Sequence, residues 1–175
     1  MGGYREMCRR LGVELLNLRE RGFEELKLDG GVLRSVFIAK AVREAEVVVN
    51  LPKLKTHALT TFTGAIKNFY GVIPTGLRTA LHGEHPQPAE FAKVLVDIFS
   101  LVRPALTVMD GVVAMEGPGP ANGTPRPLGL ILAGADAVAV DAVAQAIIGL
   151  DPLRVWTTYH AHIRGLGVGD LRKIE

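Results

Sequence analysis

The residues with the greatest chemical potential lie close together in the chain. Lys53, Lys55, His57, Lys67 and Asn68 share one stretch with the hydroxyls of Thr56, Thr60, Thr61 and Thr63 and with Gly64. Ammonium groups beside hydroxyls, next to a helix start with free N–H groups, are what a site for a phosphate or carboxylate requires. Lys53 and Lys55 alternate with Leu54, so an extended segment directs both to one side. Thr63 is the expected cap of a helix beginning at Gly64, and Lys67 and Asn68 follow within its first turn. The ordinary alternative is a set of solvated loop lysines; the closeness of Lys67 and Asn68 to the helix start favours an anion site. Neither the Gly-x-x-x-x-Gly-Lys-Ser/Thr phosphate loop nor a dinucleotide fingerprint is present.

Histidines and carboxylates supply a second layer of candidates. His57 and His82 can move protons near neutral pH without a metal, which makes acid–base catalysis their favoured role. His82 and His85, three apart, with Asp110 as a carboxylate, also have a spacing that permits a divalent metal. Asp110, expected at the end of a buried strand, and Glu116 put acids near the lysines, either as structural ion pairs or as an acid–base set. Asp141 interrupts Ala137–Val140 and Ala142–Ala144. A carboxylate in so apolar a helix is paired or functional, and a buried lysine is its expected partner. Asp136, about 140° away round the same helix, reads as the helix cap. His160 and His162 read as surface residues, and the Arg9-Arg10 pair as a solvated face.

The elements that must position these groups follow from hydrophobic periodicity. Continuous apolar runs at 47–49, 105–109 and 128–133 predict buried strands, and 13–18, 23–28 and 32–38 are further strand candidates. Helices are expected over 3–11, 39–45, 64–70, 90–102, 137–148 and 151–163, with irregular loops over 71–88 and 116–127. The alternation predicts an α/β layered domain with a mostly parallel central sheet, flanked by helices and covered on both faces. Asn50 and Pro52 end the 47–49 strand, so the lysine stretch is expected just past its carboxyl end, where such sheets bind ligands.

Composition narrows the classes. The 175 residues fit a single domain over 1–175. Hydrophobic residues make up 48% and charged residues 22%, which describes a folded domain and not a disordered one. A net charge of +2 and an aromatic content of 6% argue against a nucleic-acid partner. The single cysteine, Cys8, excludes an internal disulfide and an iron–sulfur cluster held within this chain. No apolar run is long enough to span a membrane, and Met1–Glu6 lacks an apolar signal core, so a cytoplasmic protein without a membrane partner is expected.

Five motifs in order carry a family resemblance: Asn50-Leu-Pro-Lys-Leu-Lys-Thr-His57; Thr63-Gly-Ala-Ile-Lys-Asn68 with Gly71; Asp110-Gly111; Glu116-Gly-Pro-Gly-Pro120; and Ala139-Val-Asp-Ala142. With the ending Gly165-Leu-Gly-Val-Gly169, they resemble the domain of unknown function 362 family over about residues 36–170. Members of that family are often longer at the N-terminus and often joined to ferredoxin-type iron–sulfur modules. The resemblance therefore implies a short member, or one lacking an N-terminal portion of the domain, in a redox-linked setting with a ferredoxin-type partner. It implies no particular reaction. Two functions remain open. One is an enzyme or enzyme subunit for a small anion, held by Lys53, Lys55, Lys67, Thr63, Asn68 and Glu116 and acted on by His57, His82, Asp110 and Asp141. The other is a non-catalytic module that docks an acidic redox or regulatory partner through its lysines.

Overall fold

The computed structural model describes residues 3–175. Helix α1 (Tyr4–Leu11) is followed by an antiparallel hairpin of β1 (Phe23–Lys27) and β2 (Ser35–Ala39). Helix α2 (Lys40–Arg43) leads to three short strands, β3 (Val49–Asn50), β4 (Lys53–His57) and β5 (Thr61–Thr63). Next come α3 (Ala65–Asn68), which runs into a 3₁₀ turn at Phe69–Val72, then α4 (Thr75–Glu84) and α5 (Pro88–Leu101). Strands β6 (Leu106–Glu116) and β7 (Thr124–Gly134) precede α6 (Ala137–Ile147) and α7 (Trp156–Ile163). The result is the expected layered α/β domain.

Strand β6 organises the main sheet. β7 lies antiparallel along one edge of it, and β3 and β4 follow one another along the other edge, both parallel to β6. β5 folds back antiparallel on β4. The centre is parallel because the chain reaches β6 through a helical crossover, α3 to α5, whereas β6 and β7 are joined by a short turn. The chain does not leave the sheet at Pro52. Pro52 has no N–H to donate, but its carbonyl accepts from the Asp110 N–H at 2.9 Å, so the edge continues into β4. The lysine stretch expected beyond a strand end is thus itself a strand.

The core lies on one face of this sheet. Asn50, Leu54, Thr107, Met109 and Ala114 point into it, none more than 4% exposed, beneath α3, α5, α6 and α7. On the opposite face Val49, Leu106, Val112 and Ile131 are 39% to 63% exposed. The expected cover on both faces is present on one, and Val47–Val49 is not the buried strand its composition suggests. An apolar run records fit to a pleated sheet, not which layers the same chain supplies.

Three other expectations change. Residues 71–88 contain α4, started by Pro74 where no ladder N–H is needed and held by a 2.6 Å hydrogen bond from the Tyr70 hydroxyl to the Arg78 carbonyl. Residues 13–18 form no strand, and Val13 and Leu15 stay exposed. Thr124–Pro127, expected in a loop, belongs to β7, an outer strand in which Pro125 and Pro127 are tolerated. No described helix is long and apolar enough to cross a membrane.

One buried acid ties distant parts of the chain together. Asp97, fully buried in α5, accepts the N–H groups of Val32 at 2.8 Å and Leu33 at 2.9 Å and pairs with Arg164 at 2.6 Å. Asp97→Ala leaves a guanidinium and two amides without their acceptor and is expected to lower stability by about 3–5 kcal/mol. Ile131→Thr, on the uncovered sheet face, is expected to change it by less than about 0.5 kcal/mol. Urea unfolding midpoints of the two variants check both values.

Candidate functional site

The short helix α3 is placed by an acid from another element. Asp141, 1% exposed on α6, accepts the Ala65 N–H at 2.5 Å with one carboxylate oxygen and the Ile66 N–H at 3.0 Å with the other. It is the acceptor that the first turn of any helix needs. Thr63 does not cap α3, and Asp141 has these backbone amides in place of the expected lysine. A methyl group at Gly64 would overlap the Asp141 carboxylate and the Phe62 ring, so only glycine admits this approach. Burial pushes the Asp141 carboxyl up to about 7, against the pull of the two amide bonds. The helix start that could have held a ligand anion therefore holds the protein's own. Asn50 and Asn68 complete the attachment: Asn50 Nδ2 donates to the Ala65 carbonyl at 3.0 Å, and Asn68 Nδ2 to Asn50 Oδ1 at 2.7 Å.

With α3 fixed, Lys67 is carried toward β4, and a basic cluster assembles from three elements. Lys55 and His57 come from β4, Lys67 from α3 and His82 from α4. Lys67 Nζ donates to Thr60 Oγ1 at 2.9 Å and lies 5.8 Å from the centre of the Phe91 ring. Thr60 Oγ1 donates in turn to the Phe62 carbonyl at 3.1 Å. Burial, and then the Lys55 ammonium, bring the Lys67 amine down to about 7. Burial, followed by Lys67, His82 and Lys55, holds the His57 imidazole at about 4. Its Nδ1 accepts the Leu59 N–H at 3.1 Å, which leaves the proton of the neutral ring on Nε2. His82 stacks on Phe91 with ring centres 4.2 Å apart, and burial and Lys67 lower its pKa. The named charges acting on His57 and Lys67 are all basic.

The remaining candidates lie elsewhere. Asp110 sits within β6, not at a strand end, and is exposed; its carboxylate is held below the usual range by Lys53 at 2.7 Å and by the Val112 N–H. Lys53 and Asp110 form a structural pair, apart from the cluster. Glu116 lies 3.8 Å from Arg126 across the β6–β7 hairpin. Thr63 is opposite Lys55 in the β4–β5 ladder, and its hydroxyl is buried without a partner. Among the described residues no group of three or more His, Cys, Asp or Glu side chains is placed to hold a metal.

Two motifs prove architectural. The Glu116–Pro120 segment lies along β4: Thr56 Oγ1 donates to the Gly117 carbonyl at 2.8 Å, the Ala58 N–H to the Gly119 carbonyl at 3.0 Å, and Lys55 Nζ to the Pro120 carbonyl at 3.3 Å. A methyl at Gly119 would overlap the Thr56 carbonyl. In the glycine-rich tail, the Val168 N–H donates at 2.7 Å to Asp136, which also caps α6 as expected. His160 and His162 are half-buried. His160 stacks on Trp156 with Nε2 buried, and His162 Nδ1 accepts the Gly169 N–H at 3.2 Å. Sequence reading missed Thr60 and Phe91 as parts of the cluster. Phe91 gave no signal beyond a helix's apolar stripe, and Thr60 was one hydroxyl among several.

The Domain of unknown function (DUF362) family matches residues 1–146. The match begins before the motif region read from sequence and stops short of the glycine-rich tail. A thylakoid-associated protein of Synechocystis sp. is 34% identical over 156 residues, covering 89% of this chain and 48% of its own length. The chain thus spans about half the length of that curated relative. No solved structure matches the chain.

The Asp141 bond pattern gives a direct test. Asn offers one acceptor oxygen and turns an N–H toward the second α3 amide, so Asp141→Asn is expected to cost about 1–3 kcal/mol. The sign of its pH dependence follows from the raised carboxyl. The folded state binds the Asp141 proton more tightly than the unfolded state, so this group adds stability at low pH that is lost as pH rises toward about 7. The stability gap between wild type and Asp141→Asn is expected to narrow over that interval and then level off, as read from urea midpoints in a pH series.

Proposed function

The chain belongs to the domain of unknown function 362 family, and from that premise we propose that it binds a small phosphate- or carboxylate-bearing molecule at the cluster of Lys55, His57, Lys67 and His82. The observation that carries this reading is the convergence of these basic groups from β4, α3 and α4 around the half-buried Lys67 side chain. Burial and neighbouring cations bring Lys67 to about 7 and His57 to about 4. Gathering cations in a partly dry site costs free energy that a bound anion would return. The Lys55 ammonium and the His57 Nε2–H are its donors, and the buried, unpartnered Thr63 hydroxyl opposite Lys55 is a further polar group beside them. Lys53, Asp110, Asp141, Asn68 and Glu116 have no direct part in this proposal, because each already serves another contact.

The competing reading, a basic patch for an acidic partner protein, is less well supported. Lys53 is neutralised by Asp110, and Lys67 is half-buried under Phe91 and Thr60. Neither presents a free ammonium to a flat surface. A redox or iron–sulfur setting rests on the resemblance to longer, ferredoxin-linked members, and thylakoid association is a property of the Synechocystis relative.

Thermal shift of the full chain with phosphate, sulfate and small dicarboxylates tests the site. Stabilisation is expected with at least one of them, and its loss in Lys67→Ala. Full stabilisation of that variant, or none of the wild type, would overturn the proposal. The pH dependence has a definite sign. A bound anion favours the Lys67 ammonium, so binding takes up a proton wherever the free amine is neutral. Affinity is therefore expected to fall as pH rises above about 7, by at most about tenfold per pH unit.

A further inference from the structure

The same cluster contains a group that anion binding alone does not explain. An ammonium that only held an anion would work best fully charged. Lys67 is set differently. Its side chain is half-buried, and its Nζ rests near the Phe91 ring and has as its hydrogen-bond partner a neutral hydroxyl, Thr60 Oγ1. The groups packed around it do not balance its charge. β4 contributes Lys55 and His57, α4 contributes His82, and α5 contributes the Phe91 ring. The acid on α6, Asp141, is turned to the α3 amides at Ala65 and Ile66. An amine placed in this way is a nucleophile toward carbonyl carbon, since desolvation and a second cation together favour the free base.

We propose that Lys67 forms an imine with the carbonyl carbon of a small oxo acid or anionic aldehyde whose acidic group is held by Lys55. The inference rests on the anion site proposed above and names the class of molecule that enters it. The Nζ lone pair adds to the carbonyl carbon as the C=O π pair moves onto oxygen. One proton passes from nitrogen to that oxygen, giving a carbinolamine. The C–O bond then breaks with uptake of one proton from solvent, water leaves, and the nitrogen lone pair forms the C=N bond of an iminium ion. His57 and His82, both shifted toward the neutral form, are the groups beside Lys67 able to relay these protons. No oxidant, reductant or metal enters the balance.

Reductive trapping of the full chain provides the test. The protein is treated at pH 7 with glyoxylate and cyanoborohydride, and in parallel with acetaldehyde, which carries no anionic group. Peptide mass spectrometry follows each lysine, with Lys27, Lys40, Lys93 and Lys173 as internal references. Lys67 is expected to acquire the glyoxylate adduct at least about tenfold faster than the references. Acetaldehyde should show a smaller preference, and phosphate should slow the glyoxylate reaction at Lys67 alone. Lys55→Ala should remove the preference for glyoxylate over acetaldehyde. Labelling of Lys67 no faster than the references overturns the inference. If phosphate still stabilises the wild type in that case, the anion site stands without the imine. Equal selectivity for glyoxylate and acetaldehyde overturns the anionic class of substrate. Lys67→Arg, which keeps the bulk and charge, should show the reference rates unchanged and no fast site.

Discussion

The carboxylate of Asp141 on the first amides of α3 is the contact on which the site depends. A helix of four residues cannot sustain itself, since its nucleation cost exceeds the few bonds it makes. Here a buried acid on α6 supplies the missing acceptors, and the asparagine pair on β3 and α3 fixes the helix to the sheet. Gly64 allows the approach and Phe62 closes over it. The direction in which Lys67 leaves α3 follows from this anchoring, and so does its meeting with two groups on β4 that precede it by ten or more positions.

The distribution of acids and bases over the fold is uneven. Asp97 is engaged by two backbone amides and Arg164, Asp136 by the start of α6 and the tail, Asp141 by α3, and Asp110 by Lys53. These acids have architectural duties, and they join elements that are distant in sequence. Three bases of the cluster, His57, Lys67 and His82, have no comparable duty. His57 accepts from its own turn, Lys67 meets one hydroxyl, and His82 stacks on a ring. Together with Lys55, these groups raise the free energy of the protein through mutual repulsion and desolvation. That arrangement is what the proposed anion site rests on.

Much of this was legible in the sequence, and the failures share a cause. Helical periodicity located α1, α5 and α6, and the stretch from Lys53 to Asn68 held the cluster's first three members. The pairing of groups was not legible. Asp110 and Lys53 look like parts of one site, yet parallel register places them opposite each other as an isolated pair. Asp141 announced itself as an acid among apolar residues, but its partners are backbone amides, which every residue carries and no side-chain pattern reveals. Pro52 looked like the end of a strand because its missing donor is visible in sequence, whereas the use of its carbonyl by Asp110 is not. The two faces of the sheet were indistinguishable for a similar reason: Val49 and Met109 are equally apolar on paper and opposite in exposure.

Backbone strain marks the same place independently of charge. Thr61 adopts a φ of 64°, the one non-glycine residue among those described with a positive value. A β-branched side chain is disfavoured there by roughly 1–3 kcal/mol. This residue ends the tight connection between β4 and β5, the turn that also places the Thr60 hydroxyl under Lys67 and the Leu59 N–H against His57. A hairpin needing only to close could use glycine at this position and relax. Thr60, the residue before it, bonds through its hydroxyl to Lys67 and to the Phe62 carbonyl. The strained residue thus sits in the same short turn that brings the Thr60 hydroxyl to Lys67 and the Leu59 N–H to His57, where basic groups of β4, α3 and α4 converge.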